Sequence, residues 1–222
     1  MDTMIATCAR RHAPCRVTVV LTCIALLAGC TGFSAPQVVG QTIYVLESQR
    51  GTNPAQIRRD LVLAVGEPQT RPGFDTPQMV YVQQPHELNY FVASRWADTP
   101  ARMLQPLLTQ AMEQTGGFRA VVQVPGAVPG DVRLDTELIR LQHDFVARPS
   151  RVQLSLRAQL IDVRGQRVLA VKQFDETEEA ASNNAYGGVI AANRALQRML
   201  DRLDWTGKAN RILFAVLAAA RS

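Results

Sequence analysis

The chain has 222 residues, of which 47% are hydrophobic and 19% are charged, and its formal net charge is +5. This composition is typical of a globular protein and excludes a collagen-like, low-complexity or intrinsically disordered chain. The basic residues are scattered, and no lysine- or arginine-rich run is interleaved with aromatic residues. The charge therefore does not indicate a nucleic-acid partner.

The amino-terminal segment has the parts of a secretory signal. Arg10, Arg11 and Arg16 form a basic flank, and an apolar run follows from Val17 to Ala28. This run of about a dozen residues is shorter than the ~20 residues that a membrane-spanning helix needs. The segment is therefore predicted to target the chain and then to be removed.

The apolar run ends on a lipoprotein cleavage motif, Leu27-Ala28-Gly29-Cys30. A signal peptidase needs small side chains before the cut, and the thiol of Cys30 is the nucleophile that takes up diacylglycerol. We therefore predict a signal peptide over 1–29 and a lipid anchor on Cys30, with palmitate among its acyl chains. The alternative is an ordinary secretory signal, or a short anchor, that contains a cysteine by chance.

The positions of the cysteines agree with a lipid anchor. Cys8, Cys15 and Cys23 lie in the segment to be removed, so the mature chain keeps only Cys30. No thiol then remains for a disulfide, a zinc site or a cysteine nucleophile, and we predict neither a metal nor a cofactor.

Residues 30–41 are predicted to be the lipidated cysteine and a tether. The segment is small and polar, and it contains Pro36. Thr31 and Gly32 follow the cysteine, whereas an aspartate at the first of these positions is the usual signal for retention in the inner membrane. We therefore expect an outer-membrane protein that faces the periplasm.

Alternating or continuously apolar runs predict strands along the rest of the chain. They span 42–47, 60–65, 79–83, 87–92, 118–124, 133–143, 151–162 and 167–176. The pairs 79–83 with 87–92 and 151–162 with 167–176 are predicted to be hairpins, because each is separated by a short turn-forming segment.

Two amphipathic helices are predicted. The first begins at Asp98-Thr99-Pro100, a side-chain cap before a proline, and ends before Gly116-Gly117. The second spans 184–203 and buries apolar residues at helical spacing, namely Val189, Ala192, Leu196, Met199, Leu200 and Leu203. The fold class is therefore α+β, with two helices packed on a mostly antiparallel sheet in one domain over 42–205.

Several of these segments, in this order, resemble the auxiliary lipoproteins of ABC-type transport systems that work with MCE-domain proteins. The most specific of them is Ser94-Arg95-Trp96-Ala97 before the first helix. The others are the lipidation motif at Cys30, Tyr44-Val45-Leu46, Met79-Val80-Tyr81, Leu88 to Phe91, and the final hairpin and helix that end near Trp205.

The resemblance implies a non-enzymatic accessory lipoprotein. Its partners would be an MCE-domain protein, a permease and an ATPase that together move phospholipid or another hydrophobic compound between membranes. A second copy of the chain is a further candidate partner. The alternative function is that of a structural assembly lipoprotein, a pilot or ring component of an export channel.

Arg95 and Trp96 have two interpretations. They could anchor a partner, since Trp and Arg dominate interface energetics. The favoured interpretation is that Trp96 closes the core where the hairpin meets the helix, with Arg95 bonded to nearby carbonyls.

The segment 206–222 is an apolar tail that departs from the family pattern, with Phe214 among its large side chains. It either docks into a partner or another protomer, or packs on its own domain.

No catalytic or metal-binding motif was found in the sequence. His86 and His143 lack neighbouring ligands and are predicted to be surface or core histidines. A run of acids is predicted to be a solvated loop after a strand, comprising Asp175, Glu176, Glu178 and Glu179.

Overall fold

The computed structural model describes residues 40–48, 58–126 and 128–203. The signal segment, Cys30, and the tail with Phe214 lie outside the described residues. Nine strands are described: β1 Thr42–Tyr44, β2 Arg59–Gly66, β3 Gln69–Thr70, β4 Gln78–Val82, β5 Asn89–Trp96, β6 Phe118–Val124, β7 Val132–Asp144, β8 Arg151–Asp162 and β9 Arg167–Glu179. The two described helices are α1 Pro100–Gln114 and α2 Ala185–Arg202.

The long strand β7 organises the sheet. One edge of β7 pairs antiparallel with β8 from Val132 to Asp144. The other edge pairs in parallel with three shorter strands in succession, β2, β3 and β4. The end of β7 at Asp144 therefore lies beside β4, and its start lies beside β2.

The remaining strands extend the sheet outward. Strand β6 pairs in parallel with β2, β5 pairs antiparallel with β4, and β1 pairs in parallel with β5. On the opposite side, β9 pairs antiparallel with β8 along twelve residue pairs. The sheet is mixed, and its longest pairings are the antiparallel ones between β7, β8 and β9.

Both helices contribute to one hydrophobic core. Helix α1 packs on β6 and β2, and α2 packs on β8 and β9. The apolar positions predicted for α2, from Val189 to Leu203, are all buried. Fully buried side chains from both the sheet and the helices, such as Leu63, Leu104 and Phe174, show that the elements share one interior.

The predicted fold class is confirmed: the described part of the chain is α+β, with two amphipathic helices on a strand-rich sheet. Strands β6 and β8 have the predicted bounds. Strand β7 contains an irregularity, a register shift in its pairing with β8 between Leu138 and Arg140. Strand β1 is shorter than predicted, and β5 is longer because it continues through Trp96.

The cap predicted for α1 is only partly correct. Thr99 is the N-cap, but its side chain accepts no capping hydrogen bond, and the backbone N–H of Thr99 donates instead to Asp98 Oδ1 at 2.7 Å. Pro100 at the first helical position has no N–H, so one of the amides that lack a partner within the helix is absent. The helix continues through Pro106.

The interpretation of the acidic run as a solvated loop is wrong. Strand β9 continues to Glu179, so the acids alternate between the two faces of the sheet. Glu176 is only 8% exposed and pairs with Arg198 and Arg202 of α2. Glu178 pairs with Arg194 at 3.9 Å and also with Arg198. Glu176 and Glu178 thus connect β9 to α2, whereas Asp175 and Glu179 are exposed.

Candidate functional site: an aromatic cleft

A cleft of about 720 Å³ opens where the ends of β4 and β7 meet β5, the β7–β8 loop and the segment before α2. Its apolar wall consists of Tyr81, Tyr90, Phe91, Val92 and Phe145. Its polar residues include Gln83, Arg148, Ser150 and Asn183. We call this feature the aromatic cleft. Its volume lies within the range of ~300–1,000 Å³ that is usual for small-molecule sites.

Three aromatic rings pack against one another in the wall. The ring centroid of Tyr81 lies 4.6 Å from that of Phe91 and 5.8 Å from that of Phe145, and the Phe91 and Phe145 centroids are 6.3 Å apart. These distances are those of favourable aromatic pairs. Because the three rings pack on one another and line the cleft, they form an apolar wall.

Val92 extends this wall into solvent. Val92 is 77% exposed, the largest exposed fraction among the large apolar residues that the structure describes. Strand β1 pairs with β5 only from Ser94 to Trp96, and therefore does not cover Val92. The carbonyl of Val92 accepts a hydrogen bond from Gln41 Nε2 at 3.0 Å, so its backbone acceptor is not free.

Asp144 fixes the loop that forms one side of the cleft. Its Oδ1 accepts hydrogen bonds from the backbone N–H of Val146 at 2.9 Å and of Ala147 at 3.4 Å. Its Oδ2 accepts from Arg151 Nε at 3.3 Å and from Gln153 Nε2 at 3.1 Å. At 7% exposure this carboxylate is enclosed by its partners. The loop that carries Arg148 is thereby held at its base.

A chain of hydrogen bonds lies beneath the cleft. His143 Nε2 lies 3.0 Å from Ser150 Oγ, and that hydroxyl donates to Asn183 Oδ1 at 2.6 Å. Because the hydroxyl proton is directed at Asn183, Ser150 accepts from His143, which places the imidazole proton on Nε2. His143 therefore does not act as a base toward Ser150, and Ser150 is only 3% exposed. This geometry is structural and does not activate a nucleophile.

The other nitrogen of His143 faces α2. His143 Nδ1 is buried and has no hydrogen-bond partner among the described residues. A Cβ at Gly188 would lie 2.7 Å from this nitrogen, so only glycine allows the helix to approach so closely. Burial lowers the pKa of His143 to about 4, although the nearby Asp144 carboxylate acts in the opposite direction.

The site residues predicted from the sequence do not line the aromatic cleft. Trp96 is 3% exposed and belongs to the core, which is the interpretation that the sequence favoured. Arg95 is half-buried, and its Nε has no hydrogen-bond partner among the described residues, so the predicted bond to a carbonyl is not made through this atom. The remaining predicted residues, Leu27, Ala28, Gly29, Cys30 and Phe214, lie outside the described part of the chain.

The sequence analysis missed the aromatic cleft. Four of its wall residues come from the chain's four Tyr and seven Phe residues, and they lie on two strands, β4 and β5, and in the β7–β8 loop. Sequence spacing does not bring them together, since their proximity depends on the parallel pairing of β4 with the end of β7. The one available signal was the position of Phe145 and Arg148 in a short connection between two strongly predicted strands.

The two histidines occupy a surface and a core position, as predicted. His86 lies in an exposed turn with φ of 68°, and His143 is buried. Within residues 40–48, 58–126 and 128–203, no group of three or more His, Cys, Asp or Glu side chains could hold a metal ion. In the same residues, neither helix is long and apolar enough to cross a membrane.

Comparison with known proteins decides the family. A family model described as the ABC-type transport auxiliary lipoprotein component matches residues 44–203, well over half of the chain. The protein belongs to this family. The resemblance drawn from Ser94 to Ala97 and the surrounding segments is therefore confirmed at the level of the family. Membership makes the protein an auxiliary lipoprotein of an ABC-type transport system.

Solved structures share the fold. The crystal structure of protein XCC0632 from Xanthomonas campestris, of family DUF330, is 22% identical with a TM-score of 0.68; the match covers 82% of this chain and 100% of that one. A second crystal structure, of an uncharacterized protein, is 12% identical with a TM-score of 0.58, over 74% of this chain and 96% of the other. No curated protein matched this chain.

Proposed function

We propose that the protein is a lipid-anchored accessory component of an ABC transporter that uses an MCE-domain protein to move phospholipid or other hydrophobic compounds between membranes. The family match over residues 44–203 carries this proposal. In this function the protein binds its MCE partner and catalyses no reaction.

The anchor is proposed to be the lipid on Cys30, in the outer membrane and facing the periplasm. Multiple acyl chains hold a protein stably, because each buried methylene contributes ~0.8 kcal/mol and one chain alone gives only marginal binding. The tether up to Gln41 spans about 11 residues and reaches ~35 Å when fully extended. The folded domain can then stand clear of the bilayer and reach a partner.

The proposed partner contacts are Arg95 and the tail 206–222 with Phe214. Trp96 lies in the core and supports this surface by holding the end of β5 against the helices. Strand β9 and the acid–arginine pairs to α2 are assigned a structural role, because their charges are satisfied within the domain.

A genetic experiment tests the proposed function. Strains that lack this protein, the MCE protein, or both are compared for uptake of a hydrophobic fluorescent dye through the outer membrane. If both proteins serve one transporter, each single deletion raises dye uptake, and the double deletion raises it no further.

A Cys30→Ala form expressed at the normal level is the matched control for the anchor. It should fail to restore the deletion, although its folded domain is unchanged. Additive defects in the double deletion, or full restoration by the Cys30→Ala form, would count against the proposal.

A further inference from the structure

The aromatic cleft has a single formal charge. Arg148 is exposed and lies on the anchored β7–β8 loop, and its side chain makes no ion pair with the residues that the structure describes. No Asp or Glu lines the cleft. The carboxylate of the neighbouring Asp144 is already occupied by loop amides and by Arg151 and Gln153. Arg148 therefore offers an uncompensated positive charge beside an apolar wall.

The two halves of the cleft suit two parts of one molecule. The wall of Tyr81, Phe91 and Phe145 with the exposed Val92 suits a hydrocarbon chain, because it offers apolar area and no charge. Arg148 suits an anionic group, and a guanidinium pairs well with a phosphate through two parallel N–H donors. The hydroxyl of Ser150 is committed to Asn183 and does not compete for this group.

We infer that the aromatic cleft binds a phospholipid-type amphiphile with an anionic head, with an acyl chain along the aromatic wall and its phosphate on Arg148. The inference rests on the proposed function in one respect, since transport of hydrophobic compounds would deliver such a molecule to the domain. The accessory protein would then contact the cargo as well as its partner.

A protein segment fits the same surface less well. A peptide that added a strand at the uncovered part of β5 would need free backbone groups there, and the Val92 carbonyl is already bonded to Gln41. The cleft is also of small-molecule size and receives its charge from one residue.

The test uses two lysophospholipids with the same twelve-carbon chain, lysophosphatidylglycerol and lysophosphatidylcholine, below their micelle concentrations. Binding to the purified full-length mature chain is measured by isothermal titration calorimetry. We expect the net-anionic lipid to bind more tightly than the zwitterionic one, because the choline group adds a positive charge near Arg148.

Two exposed substitutions separate the head from the chain. Arg148→Glu should weaken binding of lysophosphatidylglycerol about tenfold and remove the preference between the two lipids. Val92→Asn should weaken binding of both lipids by about fivefold, because it removes apolar surface from the wall. The matched controls, Arg164→Glu in the β8–β9 turn and Val168→Asn on β9, are also exposed, lie away from the cleft and should change nothing.

The result of the lipid-binding test can be told apart from the result of the test of the proposed function. Absence of lysophospholipid binding, or binding that the control substitutions weaken as much as Arg148→Glu and Val92→Asn do, overturns the lipid site even where the MCE partner is still recovered from cells. Binding that follows the predicted order supports the site even where the deletion strains show additive defects.

Discussion

At the scale of single residues, the packing beneath the cleft depends on the protonation state of His143. His143 is buried, stacks at 4.0 Å between ring centroids on Phe145, and donates through Nε2 to Ser150. Its Nδ1 faces Gly188 without a partner, so a proton added there would be both desolvated and crowded. The wall of the cleft and the packing of α2 therefore both depend on a neutral imidazole.

This arrangement predicts loss of stability in mild acid. Well above pH 6.5 His143 is neutral in the folded and unfolded states and contributes no pH dependence. As the pH falls from 6.5 to about 4, the unfolded state takes up a proton that the folded state resists, so the free energy of unfolding decreases. We expect a decrease of about 1–2 kcal/mol at pH 5 relative to pH 7.

Urea unfolding at several pH values measures this effect, with His143→Gln as the control. The amide of glutamine can still donate to Ser150 and does not titrate. The free energy of unfolding of the His143→Gln protein should therefore change less between pH 7 and pH 5. Parallel curves for the two proteins would show that His143 is not responsible.

Trp96 gives a second prediction about a single side chain. It is 3% exposed in the core at the end of β5. Trp96→Ala should lower the free energy of unfolding by about 3–5 kcal/mol, because it leaves a large cavity. Chemical denaturation checks this value, and Trp96→Phe should cost less. A Trp96→Ala protein of normal stability that fails to bind a partner would instead support the interface interpretation.

The contact between helix α2 and strand β7 depends on the absence of one side chain. Gly188 and Gly187 are buried near the start of α2, where a glycine normally costs helix stability of about 1 kcal/mol relative to alanine. At Gly188 this cost is offset by close packing on His143. The helix is thus positioned over β7 by a contact that sequence periodicity does not predict.

Gly188→Ala tests this contact. The new methyl group would overlap His143 Nδ1, so we expect the free energy of unfolding to fall by about 1–3 kcal/mol. In a His143→Ala background the same substitution should be neutral or stabilising, because the space is open and alanine favours the helix. Equal costs in the two backgrounds would contradict the proposed contact.

The sequence predicts individual elements well and their assembly less well. The alternation of β8 and the helical spacing from Val189 to Leu203 indicate the correct elements, because each pattern is local and long. Strand β3 has only two residues and no such pattern. The parallel pairing of β2 and β4 with β7 joins distant segments, and no local signal encodes it. The aromatic cleft depends on that pairing and was missed for the same reason.

The acidic residues of β9 show a related limit of prediction from the sequence. Four acids within five residues suggest a solvated segment when each is considered alone. Their alternation in the strand directs Glu176 and Glu178 toward Arg194, Arg198 and Arg202, which lie on one face of α2. The arginines and the acids are matched only when both elements are considered together.

The molecule as a whole combines a predicted lipid anchor, a predicted tether and a folded α+β domain of the ABC-type transport auxiliary lipoprotein family. The domain has one shared core, and its ionic pairs between β9 and α2 are satisfied internally. Among the described residues, the aromatic cleft with Val92 and Arg148 is open to other molecules. These features agree with a protein that acts by binding.

Crosslinked affinity purification of the lipidated protein from its own envelope, followed by mass spectrometry, tests the central claim most directly. A Cys30→Ala form purified in parallel shows which partners require the anchor. We expect an MCE-domain protein to be recovered with the lipidated form and to be depleted with the unlipidated one. Recovery of export-channel subunits without an MCE-domain protein would contradict the account and would favour a structural assembly lipoprotein.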